Sequence, residues 1–286
     1  MESIRIVKER RIPTQGEVLV ELHQRVEPDT LIARGMVPSQ EVEELRLNRS
    51  LNVDPEDVKN HLLKHTGDKV EKNEVIAIAR SFFGRQTRMA RSPIDGVIEN
   101  FSATTGWIMI RGNTVAVEVK SFIPGEVTQI YPGEGAAVET DGLMLHGVYG
   151  IGGETSGLLE TVVEAGNMPL TSSEIKPEYS GKVIVGGSVV TLDALREAVK
   201  QGVKGIIVGG IDEKDLTYFL GYEIGLGVTG IENLGITLIL TEGFGVNPIT
   251  DDRFEQFKEL SGKYACIDGT THIRSRSLRP EIIVPL

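Results

Sequence analysis

Two carboxylates, Glu242 and Asp268, stand at the ends of apolar, strand-like runs, "ITLILTEGFG" (236–245) and "KYACIDG" (263–269). Carboxylates held at one site can pass a proton to and from a substrate. Thr270 and His272, in "DGTTHIRSRSLRP" (268–280), add a hydroxyl and an imidazole beside the second of them. Glycine pairs end two further apolar runs: Gly186 and Gly187, followed by Ser188, in "GKVIVGGSVV" (181–190), and Gly209 and Gly210 in "VKGIIVGGI" (203–211). Lacking a β-carbon, such glycines admit a ligand or a second stretch of backbone. Ser188 and Thr191 precede a helical pattern, whose N-terminus favours an anion. The ligand-site candidates are therefore Gly187, Ser188, Gly209, Gly210, Glu242, Gly243, Asp268, Thr270 and His272. The competing reading of the same glycines is tight strand–helix turns. The nucleotide-binding patterns G-x-G-x-x-G and G-x-x-x-x-G-K-[ST] are both absent.

Other residues offer weaker chemistry. Arg80, Arg85, Arg88 and Arg91 follow one another with no acid between Glu74 and Asp95, and Phe82 and Phe83 lie among them. Arginines interleaved with aromatics suit nucleic acid or an acidic partner, and a solvated strand face explains them equally. His61 and His65 are four apart on an expected helix, a zinc-compatible spacing, with no third ligand in sight. "GIGGETSG" (150–157) is glycine-rich, but neither a lysine nor a capped helix follows it, so a tight turn is its simplest reading. Cys266 lies in an apolar strand, which predicts a buried, inert thiol.

The elements that must position these residues fall into three regions. Residues 173–286 alternate strands with helices. Helices are expected over "TLDALREAVKQG", "DEKDLTYFLG" and "TDDRFEQFKELSG", capped by Thr191, Asp212 and Thr250. That alternation predicts an α/β, loosely Rossmann-like domain with a mainly parallel sheet, whose ligands would sit beyond the carboxyl ends of the strands. The run "GGSVVTLDALREA" also resembles small regulatory α/β modules of the DRTGG type, and no residue role is carried over from them. Residues 122–172 read as a small glycine-rich β module, SH3- or KOW-like or an extension of the first domain. Residues 1–121 read as short strands, among them "EVIAIA", "GVIENF", "WIMIRG" and "VAVEVK", with a helical insertion at 38–65 in which helices start at Ser39 and at Asp54–Pro55.

Charge divides the chain near the same place. Residues 1–121 hold 18 Lys/Arg and 18 Asp/Glu, residues 122–286 hold 12 and 23, and no Lys or Arg occurs from Ser121 to Ile175. That acidic stretch cannot hold a phosphate backbone by charge. No run of about 18 apolar residues appears, the N-terminus lacks an apolar signal core, and one cysteine cannot form an internal disulfide. These features predict a cytoplasmic protein with no membrane partner. The chain ends soon after "EIIVP", which leaves room for its being a piece of a longer protein.

"GDKVEKNEVIA" (67–77) followed by "SPIDGVIENF" (92–101) resembles the two halves of a biotinyl/lipoyl-type domain, the barrel-sandwich hybrid. The resemblance covers roughly residues 13–120 and implies an all-β barrel-sandwich fold. In carrier members of that family the acylated lysine stands eight residues before the proline of this hairpin, and here that position holds Arg85. A guanidinium is always protonated and is not acylated, so neither biotin nor lipoate is expected as a cofactor. Members without the lysine serve as structural connectors, which implies a scaffold. The sequence as a whole predicts a non-enzymatic scaffold or binding protein, as a homo-oligomer or with a protein partner. The alternatives are a small-ligand sensor or enzyme using the strand-end crevice, and a nucleic-acid-associated factor using the arginine hairpin.

Overall fold

The computed structural model describes residues 3–80, 86–222, 234–271 and 279–286. Its strands are β1 (Ile4–Arg11), β2 (Gly16–Val18), β3 (Arg25–Val26), β4 (Leu31–Val37), β5 (Val42–Arg46), β6 (Lys69–Val70), β7 (Val75–Arg80), β8 (Thr87–Arg91), β9 (Gly96–Ser102), β10 (Trp107–Gly112), β11 (Val115–Lys120), β12 (Gly125–Tyr131), β13 (Gly135–His146), β14 (Tyr149–Ile151), β15 (Glu154–Thr161), β16 (Val183–Val185), β17 (Gly205–Ile211), β18 (Thr237–Phe244), β19 (Tyr264–Asp268) and β20 (Glu281–Pro285). The α-helices are α1 (Leu47–Leu51), α2 (Leu192–Gln201), α3 (Glu213–Leu220) and α4 (Asp251–Leu260). Two units divide the chain: residues 1–11, 18–33 and 119–286, and residues 12–17 and 34–118. The chain passes from one to the other at the end of β1 and within β2, β4 and β11.

The first unit is built on one mixed sheet of eleven strands among the described residues, in the order β14-β18-β17-β16-β15-β19-β20-β13-β12-β3, with β1 added to β13. Strands β15, β16, β17 and β18 are parallel; the other pairings are antiparallel. The parallel run reads V-I-V and G-I-I-V and is fully buried, as strands covered on both faces must be. Helix α2 starts where the Thr191 hydroxyl accepts the Ala194 amide at 3.2 Å, and it ends at Gly202 in the left-handed conformation. Helix α3 starts where the Asp212 carboxylate accepts the Lys214 amide at 2.8 Å. Helix α4 buries Phe254, Phe257 and Leu260; Thr250 stands at its start without the expected side-chain cap.

Two cores follow. One gathers the parallel strands and their helices around Ile184, Ile206, Leu238, Leu195 and Phe257. The other lies under the antiparallel strands and joins Ile6, Ile32, Val127, Val138, Cys266 and Ile283.

The four-stranded sheet and the two-stranded hairpin of the second unit are antiparallel. Its four-stranded sheet runs β5-β10-β9-β6, and β7 and β8 form a separate hairpin. Leu47, Leu51, Val58, Ile76, Ile98 and Ile110 make its core.

These findings overturn the expected fold class. The described residues are mostly β, 45% strand and 18% helical, and among them neither a clear barrel-sandwich domain nor a separate α/β domain is seen. The physical reason is long-range pairing. Strand β15, from the supposed small module, extends the parallel strands; β1, from the supposed first domain, adds to β13; and β19 and β20 carry the sheet into antiparallel pairing. The expected helix from Ser39 is also corrected: residues 42–46 are strand β5, paired to β10 with Arg46 opposite Trp107 and its guanidinium 4.5 Å from that ring. Cross-strand packing of this kind overrides the helical preference of the acidic run. From Pro55 the chain makes a 3₁₀ helix that ends at His61.

At the carboxyl ends of β16 and β17 the chain packs backbone on backbone. A β-carbon at Gly209 would collide with the Asn247 carbonyl, one at Gly187 with that of Met168, and one at Gly210 with that of Gly245. Gly209→Ala is therefore expected to destabilise the chain by about 3 kcal/mol or more through overpacking. Gly262→Ala, at a positive φ of 84° with nothing near its β-carbon, is expected to cost about 1 kcal/mol. Urea unfolding of the two variants checks the order.

Candidate functional site

The carboxyl ends of the parallel strands, where a ligand crevice was expected, are filled by the protein's own loops. The Ser188 amide donates to the Met168 carbonyl at 2.8 Å, and the Asn247 amide donates to the Ser188 carbonyl at 3.0 Å. The Gly209 amide donates to the Gly187 carbonyl at 2.8 Å. Segments 165–170 and 245–249 thus occupy the space the glycines open, and Ser188 is buried. Glu242 lies at this end too, 3.6 Å from the Arg253 guanidinium of α4, which also donates to the carbonyls of Thr241 and His146. Gly243 follows it in β18.

Asp268 and Thr270 are brought to the opposite end. Strand β19 runs antiparallel to β15, so Asp268 faces Glu154 at the start of β15, on the amino side of the parallel strands. The amide of Gly269 donates to the Gly153 carbonyl at 2.9 Å, and a β-carbon on Gly269 would touch Thr237, the first residue of β18. Glu242 is five residues further along β18, about 16 Å at the usual rise of a strand. The two carboxylates do not converge. Asp268 instead accepts the Thr270 amide at 2.8 Å. His272, Arg274 and Arg276 lie outside the described residues.

Asp268 has neighbours that the sequence did not flag. Glu154, Asp268 and Glu281 face one another across β15, β19 and β20, a row of three carboxylates on one face. Strand β1 supplies the counter-charges from one face, because Lys8 and Arg10 are two apart. Lys8 pairs with Glu281. Arg10 grips Glu154 with both terminal nitrogens, at 2.7 and 2.6 Å, and donates through Nε to the Lys120 carbonyl at 2.7 Å. Its side chain is 12% exposed. Only the alternation within "VKERR" hinted at this pairing; nothing local marked Glu154 or Glu281.

Beside Glu154 lies a groove with two compartments, of about 260 and 210 Å³, which share Glu154, Thr155 and Lys204. The first also reaches Asp29, Lys120 and Phe122. Asp29 accepts from Lys120 at 2.8 Å, and that bond holds its carboxyl below the usual range, with Lys204 adding to the effect. Lys204 donates to the Ser156 carbonyl at 3.0 Å. The second compartment runs along Val203, Leu234 and Ile236 beneath the Gly152–Gly153 turn, whose carbonyls both accept from the Thr237 hydroxyl at 3.2 Å. Both turn glycines take positive φ, 95° and 69°.

The second unit has a wider cleft of about 990 Å³ along Lys64, Lys69, Lys72, Glu74 and Asp95. Lys64 binds Glu74 at 2.7 Å, which raises the lysine pKa and lowers that of the glutamate. The Lys72 amide donates to Asp95 at 2.7 Å. In the β7–β8 hairpin Arg80 faces Thr87 and Arg88 faces Ala79, so the two arginines lie on opposite faces. Arg91 donates to the Asn73 carbonyl at 2.7 Å and to the Met89 sulfur at 3.8 Å. Arg85, Phe82 and Phe83 lie outside the described residues. His61 ends its 3₁₀ helix and bonds the Ile78 carbonyl, while His65 lies beyond it near Asp68. The helical spacing that would have joined the two imidazoles is not formed. No group of three or more His, Cys, Asp or Glu that could hold a metal occurs among the described residues, and no described helix is long and apolar enough to cross a membrane.

Cys266 is fully buried. Burial pushes its thiol up to about 12, with the Glu154 and Glu27 carboxylates adding to the rise. Since the thiolate is the nucleophile, about one thiol in ten thousand is reactive at mildly alkaline pH. The native protein is expected to resist a thiol-specific disulfide reagent, and to release its one equivalent after unfolding in guanidinium. Fast reaction of the native chain would contradict the burial.

With this geometry in view, no family model matches the chain, and neither a curated protein nor a solved structure matches it.

Proposed function

We propose that this chain is a non-enzymatic binding and scaffolding protein that associates through the β7–β8 hairpin with an acidic protein surface, foremost that of a second copy. The observation that carries this reading is the state of the hairpin cations. Arg80 and Arg88, one on each face of the hairpin, are exposed and, among the described residues, pair with no carboxylate, and Met89, on the Arg80 face, is 48% exposed. Residues 122–286 carry 12 Lys/Arg against 23 Asp/Glu, so another copy offers the complementary sign, and complementary potentials steer association. The catalytic candidates support the same reading. Glu242 is engaged by Arg253, Asp268 by the Thr270 amide, and the strand ends by backbone.

The reading includes neither biotin nor lipoate; a guanidinium such as that of Arg85 is always protonated and is not acylated. It places the protein in the cytoplasm, consistent with one buried cysteine. Sedimentation of the full chain over a range of concentrations tests it. Self-association that weakens with salt and disappears in an Arg80→Glu, Arg88→Glu double variant is the expected result. A monomer at every concentration overturns self-association. Salt-sensitive binding of a labelled single-stranded oligonucleotide, lost in the same variant, transfers the hairpin to nucleic acid.

A further inference from the structure

We infer that the acidic surface met by the hairpin is strand β5 of a second copy, to whose free edge β8 adds as an antiparallel strand. This inference rests on the scaffold reading and names the partner surface of that same site.

Both strands have an unused edge. Among the described residues β8 pairs only with β7, and β5, at the end of its sheet, pairs only with β10. The other side of β7 is taken by residues 62–64: Leu62 bridges Ala77, and the amides of Leu63 and Lys64 donate to the Ile76 carbonyl. The open side of the hairpin is therefore β8. An edge strand presents a row of amides and carbonyls to any extended segment that fits. Each of the two strands is five residues long, the usual length of a strand. All of β8 but Ala90 is exposed, and all of β5 but the half-buried Leu45.

Charge decides which edges meet. Arg88 and Arg91 of β8 pair with no carboxylate among the described residues; Arg91 donates to the neutral Asn73 carbonyl, which leaves its charge unbalanced. Glu43 and Glu44 of β5, and Glu41 just before it, are exposed and pair with no cation among the described residues. Pairing β8 with a second β8 would bring arginines together, and pairing β5 with a second β5 would do the same for glutamates. Like charges directly opposite are unfavourable, so only the mixed pairing matches. The other strands that end a sheet, β2, β3, β6, β7, β11 and β14, hold at most one acid each. Among the described residues β5 is thus the edge that offers both backbone groups and the complementary charge.

Spacing then sets the register. Arg88 and Arg91 are three apart, as are Glu41 and Glu44. In an antiparallel pair, Arg88 opposite Glu44 puts Arg91 opposite Glu41 and Ala90 opposite Val42. Each arginine faces a glutamate, and each such pair is favourable. The parallel alternative, with Arg88 opposite Glu41, forms the weaker ladder.

Sedimentation of charge-exchanged full chains tests the inference. Arg88→Glu alone and Glu44→Arg alone are each expected to weaken self-association about tenfold or more, since like charges then face each other. Both variants are expected to keep the native unfolding transition, because both side chains are exposed. Mixed in equal amounts, the two variants are expected to associate again at close to the native strength, because the exchanged charges oppose each other in the mixed complex. Hydrogen exchange of the native chain is expected to slow within residues 42–46 and 87–91 as concentration rises. Self-association of Glu44→Arg at native strength, no recovery in the mixture, or unchanged exchange in both strands overturns the inference and leaves the scaffold reading standing. A native chain that stays monomeric at every concentration overturns both.

Discussion

Backbone contact at the carboxyl ends of β16 and β17 is the constraint on which the first unit depends. Gly187, Gly209 and Gly210 have no β-carbon, so the carbonyls of Met168, Asn247 and Gly245 can stand where one would be. Hydrogen bonds from the Ser188, Gly209 and Asn247 amides then tie the two loops to the strand ends. Buried amides and carbonyls must find partners, and here each supplies the other's. The consequence is functional as well as structural. An open α/β sheet usually leaves its carboxyl ends free for a ligand; this one closes them with residues 165–170 and 245–249, and its open groove lies at the other end.

That other end is organised by charge. Lys8 and Arg10 project from one face of β1 onto Glu281 and Glu154, the outer members of the carboxylate row that Asp268 completes. A mostly buried ion pair contributes little net stability, because desolvation cancels most of the attraction, yet removing one member leaves a costly orphan charge. What such a pair enforces is register. A slip of β1 by one residue along β13 would turn Lys8 and Arg10 to the other face and Ile6 out of the core. The same row raises the Cys266 thiol through Glu154, so the electrostatics that hold the sheet together also quiet its one nucleophilic sulfur.

What the sequence made legible was local. Helices α2, α3 and α4 were marked by Thr191, Asp212, Gly202 and Thr250, the last of which makes no side-chain cap, and strands β9, β10 and β11 by alternation; each depends on residues within a turn or two. Strand β5 was misread because its acids and Leu45 imitate a first helical turn, and the Trp107–Arg46 contact that overrides them lies sixty-one residues away. The fold class failed for the same reason at larger scale. Nothing within residues 154–161 says that β15 lies beside β16, and nothing in β1 says that it pairs with β13. The glycine pairs were correctly singled out as points of close approach, and what approaches is this chain's own backbone. Asp268 was singled out for acid–base work, but the direction of its strand decides which end of the sheet it reaches, and direction is a property of pairing.

The turn "GIGGETSG" shows how far spacing alone can mislead. Read along the chain it lacks a lysine, and a glycine-rich turn without a cation is a poor anion site. Read through space it has Lys204, delivered by the loop that leads into β17 and held against the Ser156 carbonyl. Arg10 and Lys120 arrive from other segments as well, but each is spent on a carboxylate. Which cation remains free is thus decided by pairing geometry rather than by the number of basic residues nearby. The hairpin follows the same logic: Arg91 is engaged by the Asn73 carbonyl, whereas Arg80 and Arg88 are not engaged by any acid among the described residues. With 41 Asp/Glu against 30 Lys/Arg, carboxylates are in excess, so an exposed arginine that no acid engages among the described residues meets the complementary sign on a second copy.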